Sequence, residues 1–217
     1  MSAFEFFFSF YGLLLGLSVA AIAVGVATAI QHRKRIRVGR LTPLLGLFVI
    51  LDIATFWDAA WVNFRHLPFS YGLLVAGLAV ALIYFMAASL VFPHEIEEGM
   101  NLDDHFWDNK KLVLLLTAAA NVLLVIAAII AHARTPGGPV LITSYVITLL
   151  LYLVLVVPAA FAKRARLFVV LTVLHILVYL FSAVGSAVNP VDMVEFANQQ
   201  AEALEAARQA AASPAQP

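Results

Sequence analysis

Long runs of apolar residues dominate the chain, and short segments between them carry most of the charge. Five runs contain no Asp, Glu, Lys or Arg: residues 6–32, 66–94, 112–133, 135–162 and 167–191. A helix needs about 20 apolar residues to cross a hydrocarbon layer of roughly 30 Å, so each run is long enough. A sixth run, residues 41–64, is equally apolar except for Asp52 and Asp58. The pattern predicts an all-α bundle of six transmembrane helices, near residues 4–30, 41–63, 69–92, 111–132, 140–162 and 167–188.

The composition agrees with this reading. Hydrophobic residues make up 63% of the 217 residues and charged residues only 12%, whereas a soluble chain carries about 25% charge. Basic and acidic residues balance at 13 each, and without a basic excess no nucleic acid is expected as a partner. Cysteine is absent, which excludes disulfides and thiolate chemistry by this chain. We therefore expect a multi-pass integral membrane protein whose main partner is lipid.

The distribution of Lys and Arg predicts the orientation. Ten of the 13 lie in or beside the segments that follow predicted helices 1, 3 and 5, and the exceptions are Arg65, Arg134 and Arg208. Short basic loops stay on the cytoplasmic side of a membrane. Both termini are thus predicted to be extracytoplasmic. The overall pattern resembles small bacterial inner-membrane proteins, so we expect the protein in a bacterial plasma membrane.

Two segments outside the predicted spans carry local signals. Asn101 and Asp104 have the spacing of a cap for a short helix that leads into helix 4. Asn189 and Pro190 suit the start of a marginal alanine-rich helix on the extracytoplasmic surface, and residues 190–217 should otherwise form a disordered tail. The acidic loop 93–111 offers carboxylates and histidines to a divalent cation, but without a metal-binding motif it is better explained as a solvated linker.

Small residues at regular spacing predict close helix contacts, because backbones in lipid approach only where side chains are small. Helix 1 has Gly12 and Gly16, and helix 3 has Gly72 with Ala76 and Gly77 with Ala81. We interpret these faces as packing seams within the chain. A homo-oligomer interface or another membrane protein as partner is the alternative.

Polar residues recur at the centres of the even-numbered helices. Counting about 1.5 Å per residue from the cytoplasmic boundary places Asp52, Asn121 and His175 roughly 12–17 Å into the hydrocarbon layer. Tyr84 and Tyr152, on helices that run the opposite way, fall at a similar depth. The sequence predicts a polar layer near the midplane.

Asp52 is the most costly of these residues, since an acid at a helix centre disfavours insertion by about 2.5–3.5 kcal/mol. It needs a hydrogen-bonding partner or a proton. One hypothesis is that Asp52 loads and releases a proton near neutral pH. The other is that it bonds Asn121, Thr55 or a backbone carbonyl and locks the bundle.

Helix 6 carries a polar stripe that should face the bundle interior or water: Thr172, His175, Tyr179, Ser182 and Ser186. His175 is either a proton relay beside Asp52 or a neutral imidazole held in the core. Further out, Asp58 and Arg65 are candidates for an outer vestibule, with a partner from another helix as the alternative. Only His175 lies deep enough for an axial haem ligand, so neither a metal nor another cofactor is predicted.

No catalytic signature is present, such as GxSxG, a Walker loop or a dinucleotide fingerprint, so an enzyme is not favoured. The leading hypothesis is a proton- or ion-linked transporter or channel-like protein. Its intramembrane polar site would consist of six residues: Asp52, Asn121, His175, Tyr84, Tyr152 and Tyr179. The alternative is a non-catalytic membrane subunit, scaffold or sensor whose polar layer only fixes helix packing.

Overall fold

The structure is a computed structural model that describes residues 3–64, 70–133 and 137–188, together with the single positions Gln199 and Glu202. These ranges contain six α-helices and no β-strand: α1 Ala3–Gln31, α2 Leu41–Phe64, α3 Tyr71–Ser89, α4 Leu102–His132, α5 Gly138–Phe161 and α6 Ala165–Val188. Each helix is long and apolar enough to cross a membrane. The all-helical fold with six apolar helices is as predicted.

The helices begin and end within three residues of the predicted positions, with one exception. Helix α4 begins at Leu102 instead of residue 111, because the predicted short helix and helix 4 are one continuous helix. Asn101 is its N-cap, and its side-chain oxygen accepts the N–H of Asp103 at 3.2 Å. The predicted helix and tail in residues 190–217 lie outside the described residues, apart from the two single positions.

Helix α2 occupies the centre of the bundle and is the most buried of the six. It packs against α1, α3, α4 and α6, while α5 lies outside it and contacts α4 and α6. The outer surface of the bundle is apolar, with many exposed Leu, Val, Ile and Phe side chains such as Ile130 and Phe181. A soluble protein rarely exposes such a continuous apolar surface, so this arrangement suggests a multi-pass membrane protein.

Two of the predicted small-residue positions are in tight contacts. A Cβ atom on Gly12 would lie 2.6 Å from the ring of Trp57 in α2, and one on Gly77 would lie 2.9 Å from the ring of Phe7 in α1. Gly16 is different, because it has no neighbour within 4 Å of such an atom. The seams within the chain thus involve Gly12 and Gly77, and they join α1 to both of its neighbours.

The segments that follow α1 and α3 meet at one end of the bundle. Arg37 N–H donates to the carbonyl of Met100 at 3.0 Å, and Leu102 N–H donates to the carbonyl of Arg37 at 3.1 Å. The chain between α5 and α6 lies at this same end, beside the first turns of α4. We call it the basic end, because it carries the segments 32–40 and 162–166. These two segments, which hold eight of the 13 Lys and Arg residues, therefore share one end.

Side chains reinforce the junction at the basic end. The Asp103 carboxylate accepts the N–H of Leu41 at 3.2 Å, and it lies so close to Gly39 that a Cβ atom there would overlap its Oδ1. Arg35 and Glu98 form an ion pair at 3.4 Å, but both side chains are largely exposed. An exposed pair contributes little to stability, so backbone bonds and Asp103 hold the junction together.

Candidate functional site

The carboxylate of Asp52 lies at the middle of α2, and the residue is only 1% exposed. Three side chains from three other helices donate hydrogen bonds to it. Tyr84 of α3 donates to Oδ2 at 3.0 Å, and Tyr179 of α6 donates to Oδ1 at 2.5 Å. The Nδ2 of Asn121, in α4, lies 3.2 and 3.3 Å from the two carboxylate oxygens. The site thus joins α2, α3, α4 and α6 around one acid. We call these four residues the Asp52 cluster.

Asn121 is oriented by more than the carboxylate. Its Nδ2 also lies 3.2 Å from the hydroxyl oxygen of Tyr84 and 3.0 Å from the carbonyl of Thr117, one turn earlier in α4. An amide nitrogen has only two hydrogens, so these four contacts are shared between them. The carbonyl of Thr117 keeps the amide turned towards Asp52.

The donors around Asp52 are all neutral, and this determines which chemistry the acid can perform. An ionised carboxylate accepts from all three donors, whereas a protonated carboxyl must itself donate one hydrogen bond. A tyrosine hydroxyl can reverse its role and accept that bond. Among the described residues, no group of three His, Asp or Glu residues is placed to hold a metal ion. The geometry of the cluster accommodates a proton by changing the direction of hydrogen bonds.

Two more of the predicted site residues lie beside the cluster without completing it. The ring of His175 is 4.6 Å from that of Tyr179 and 4.9 Å from that of Tyr152, measured between centroids. His175 Nδ1 and the hydroxyl of Tyr152 are buried, and no described residue lies within 3.5 Å in hydrogen-bonding geometry, although the Tyr152 hydroxyl is near enough to Asp52 and Asn121 to interact with them electrostatically. Among the described residues no hydrogen bond joins Asp52 to His175, so a relay between them, one of the two alternatives for His175, would need an intervening group. Tyr179 contacts both residues and lies between them.

Aromatic rings cover the cluster on two sides. Phe48 contacts the rings of His175 and Tyr179 at centroid distances of 5.3 and 6.3 Å, and Phe56 contacts Tyr84 at 5.0 Å. Neither phenylalanine is among the site residues predicted from the sequence. Their spacing indicated them, because they lie four residues before and four residues after Asp52 and so share its helix face.

Other residues of the predicted polar stripes lie away from the cluster. On α6, Thr172 is buried but Ser182 and Ser186 are exposed, so the inward-facing stripe ends at Tyr179. Asp58 is exposed on α2 and makes no hydrogen bond or ion pair with a described residue. Arg65, its suggested companion in an outer vestibule, lies outside the described residues.

Lys110 has a role that the sequence analysis missed. Although it was counted only among the basic residues that set the orientation, it is buried at 5% exposure. Its Nζ donates to the carbonyls of Ala159, Ala160 and Ala162 at 3.3, 3.1 and 2.6 Å and lies 4.9 Å from the ring centroid of Trp107. These carbonyls belong to the end of α5, where a helix leaves its last acceptors without N–H partners. Lys110 is thus a C-terminal cap supplied by another helix.

Comparisons of the chain with protein-family models, with curated proteins and with solved structures found no match.

Proposed function

We propose that the protein is a proton-linked transporter and that Asp52 is the group that binds the proton. The observation that supports this most is the environment of the acid. Asp52 is buried at the centre of the bundle, and its hydrogen-bond partners among the described residues are two tyrosines and one asparagine, with no Lys or Arg to neutralise it. Acids in such positions are costly and mark proton or ion pathways in membrane proteins.

The cluster also offers a means of coupling. Tyr84, Asn121 and Tyr179 belong to three different helices, and each donates to the same carboxylate: Tyr84 to Oδ2, Tyr179 to Oδ1 and Asn121 to both oxygens. When Asp52 takes up a proton, at least one of these bonds must reverse or break, because the carboxyl becomes a donor. Protonation then changes the forces between α2 and its neighbours. A substrate that binds better to the bundle with Asp52 protonated than to the bundle with Asp52 ionised, or the reverse, would have its binding coupled to that of the proton.

We propose further that the basic end faces the cytoplasm of a bacterial cell. The support is the positive-inside rule, together with the finding that the segments 32–40 and 162–166 lie at the same end of the bundle.

A second candidate function is a membrane scaffold or sensor subunit without transport. It is favoured by the same three bonds, because they tie α3, α4 and α6 to the central helix and would stabilise one arrangement of the bundle. In that case Asp52 would keep one protonation state and its partners would be structural.

The deciding experiment uses Asp52→Asn and the matched control Asp58→Asn, an exposed acid on the same helix. Each protein is reconstituted into liposomes that contain a pH-sensitive dye, and an acid pulse is applied outside. We expect wild type and Asp58→Asn to acidify the interior faster than protein-free liposomes, and Asp52→Asn to match the protein-free rate. Infrared difference spectra over pH 4–9 should show a carboxyl band that only Asp52→Asn loses.

The two candidate functions give different results in this experiment. If wild type carries no proton flux and shows no titrating carboxyl band, the transporter proposal is wrong and the scaffold is favoured. Equal flux in wild type and a correctly folded Asp52→Asn protein would show that protons cross without Asp52.

A further inference from the structure

A second feature of the bundle has the properties of a binding site. A cavity of about 290 Å³ lies among α1, α2, α3 and α4, in the half of the bundle away from the basic end. Helices α3 and α4 line it with small and aliphatic residues, including Ala76 and Ala127. Helices α1 and α2 contribute aromatic rings, namely Phe7, Phe8, Tyr11 and Phe56. The cavity is separate from the Asp52 cluster, although Phe56 contacts both.

The size and lining of the cavity limit what can occupy it. An apolar cavity of about 150 Å³ stays free of water and binds benzene, so a volume twice as large suits two fused rings. Tyr11 is the only lining residue with a polar atom in its side chain. Water gains too few hydrogen bonds in such a space to be held there. The chemistry of the walls selects a lipophilic molecule.

Tyr11 adds a second requirement. Its ring is buried and stacks on Phe7 with a centroid distance of 6.0 Å and an interplanar angle of 13°. Its hydroxyl makes no hydrogen bond with the rest of the described chain. A phenol in apolar surroundings normally has a hydrogen-bond partner. A ligand with one carbonyl or hydroxyl group would supply it, and a hydrocarbon chain would not.

The cavity reaches the surface between α3 and α4. The lining residues Ala76 and Ala79 of α3 and Ile126 and Ile130 of α4 are all exposed on the outside of the bundle. A lipophilic molecule can enter sideways through this gap, from the hydrocarbon that would surround the helices.

We infer that this cavity is a binding site for a flat bicyclic molecule that carries one hydroxyl or carbonyl group. The aromatic side formed by Phe7, Phe8 and Phe56 packs against the rings, and Tyr11 bonds the polar group. This inference does not depend on proton transport, since no residue of the Asp52 cluster lines the cavity.

The test uses tryptophan fluorescence, because Trp57 and Trp61 contact Phe8 of the cavity wall at centroid distances of 5.7 and 4.8 Å. The chain has three tryptophans, so a Trp107→Phe background leaves only these two. The protein is placed in lipid nanodiscs and titrated with 6-bromo-2-naphthol, whose bromine quenches nearby indoles. We expect saturable quenching. It should be lost in Ala127→Phe, which fills the cavity, and retained in Ala119→Phe, which adds a ring to an exposed position of α4.

Two further variants separate binding in the cavity from partition into lipid. Tyr11→Phe should weaken the affinity for 6-bromo-2-naphthol about fivefold, while the affinity for 2-bromonaphthalene stays the same. Ala127→Leu, which is less disruptive than Ala127→Phe, should lower the affinity for both ligands. Quenching that rises linearly and equally in all of these proteins would overturn the inference, because it would reflect lipid partition alone. Saturable quenching with the same affinity for 6-bromo-2-naphthol in Tyr11→Phe as in wild type would overturn the role of the polar group.

Discussion

Tyr179 donates a hydrogen bond of 2.5 Å to Asp52 although the two residues lie 127 positions apart in the chain. The bond joins α6 to the central helix α2, and the tyrosine ring also contacts His175. Asp52 therefore meets the middle of α6 through the phenol of Tyr179 and not through the imidazole of His175.

Tyr179→Phe keeps the ring and removes only this bond. Interhelical hydrogen bonds in membrane proteins contribute modestly, so we expect the variant to lose about 1 kcal/mol of unfolding free energy. Thermal unfolding in detergent micelles, followed by circular dichroism, measures the loss. Tyr71→Phe is the matched control, because Tyr71 is 79% exposed, and it should leave the midpoint unchanged. Equal midpoints for both variants would contradict the bond to Asp52.

The loss of unfolding free energy on replacing Asp52 should depend strongly on the residue that takes its place. Asp52→Leu leaves the hydroxyls of Tyr84 and Tyr179 without their acceptor, while Asn121 keeps the carbonyl of Thr117, and we expect a loss of about 3 kcal/mol. Asp52→Asn retains one acceptor oxygen and should lose less than half as much. The same unfolding assay ranks the two variants, and Asp58→Leu at the exposed position serves as control. A more stable Asp52→Leu protein would show that the donors are satisfied by other groups.

Lys110→Met tests the cap on α5. The substitution keeps the length of the side chain but leaves the carbonyls of Ala159, Ala160 and Ala162 without this donor, so we expect a loss of about 2 kcal/mol. Lys111→Met, at the exposed neighbouring position, should change stability by much less. Hydrogen exchange provides a local measurement, and the amides near residues 159–162 should exchange faster in Lys110→Met only. Unchanged exchange there would contradict the capping role.

The junction at the basic end predicts that the stability losses of Gly39→Ala and Asp103→Ala are not additive. Gly39→Ala would place a Cβ atom against the Asp103 carboxylate and displace it from Leu41, at an expected cost of about 2 kcal/mol. In an Asp103→Ala background the same change should cost much less, because the clash is gone. Gly16→Ala, which has open space around it, is the neutral control. Additive losses in the double variant would contradict the contact.

The proposed orientation can be tested with single cysteines, since the chain has none of its own. Lys34→Cys places a thiol at the basic end, and Tyr71→Cys places one at the first residue of α3, at the opposite end. In intact spheroplasts a membrane-impermeant maleimide should label Tyr71→Cys at once and Lys34→Cys only after permeabilisation. The reverse result would invert the proposed topology.

The six helices were predictable because the property that defines them is local. A run of about 20 apolar residues needs lipid or a protein core wherever the rest of the chain lies, and its charged flanks mark the ends. This reliance on local composition also explains why the start of α4 was predicted at residue 111 and not at Leu102. Its first turns carry Asp103, Asp104 and Lys110, which resemble a loop in composition, and only the cap signal of Asn101 indicated a helix there.

The sequence by itself determined which residues lie at similar depth, because depth follows from counting along each helix, and Asp52, Asn121 and Tyr84 do meet. Tertiary structure alone decided which side chains face each other, since this depends on the rotation of each helix about its axis and on its neighbours. That rotation brings Tyr179 to the acid in place of His175. It also brings Lys110 to the end of α5, about 50 residues further along the chain, where free carbonyls bind its ammonium group.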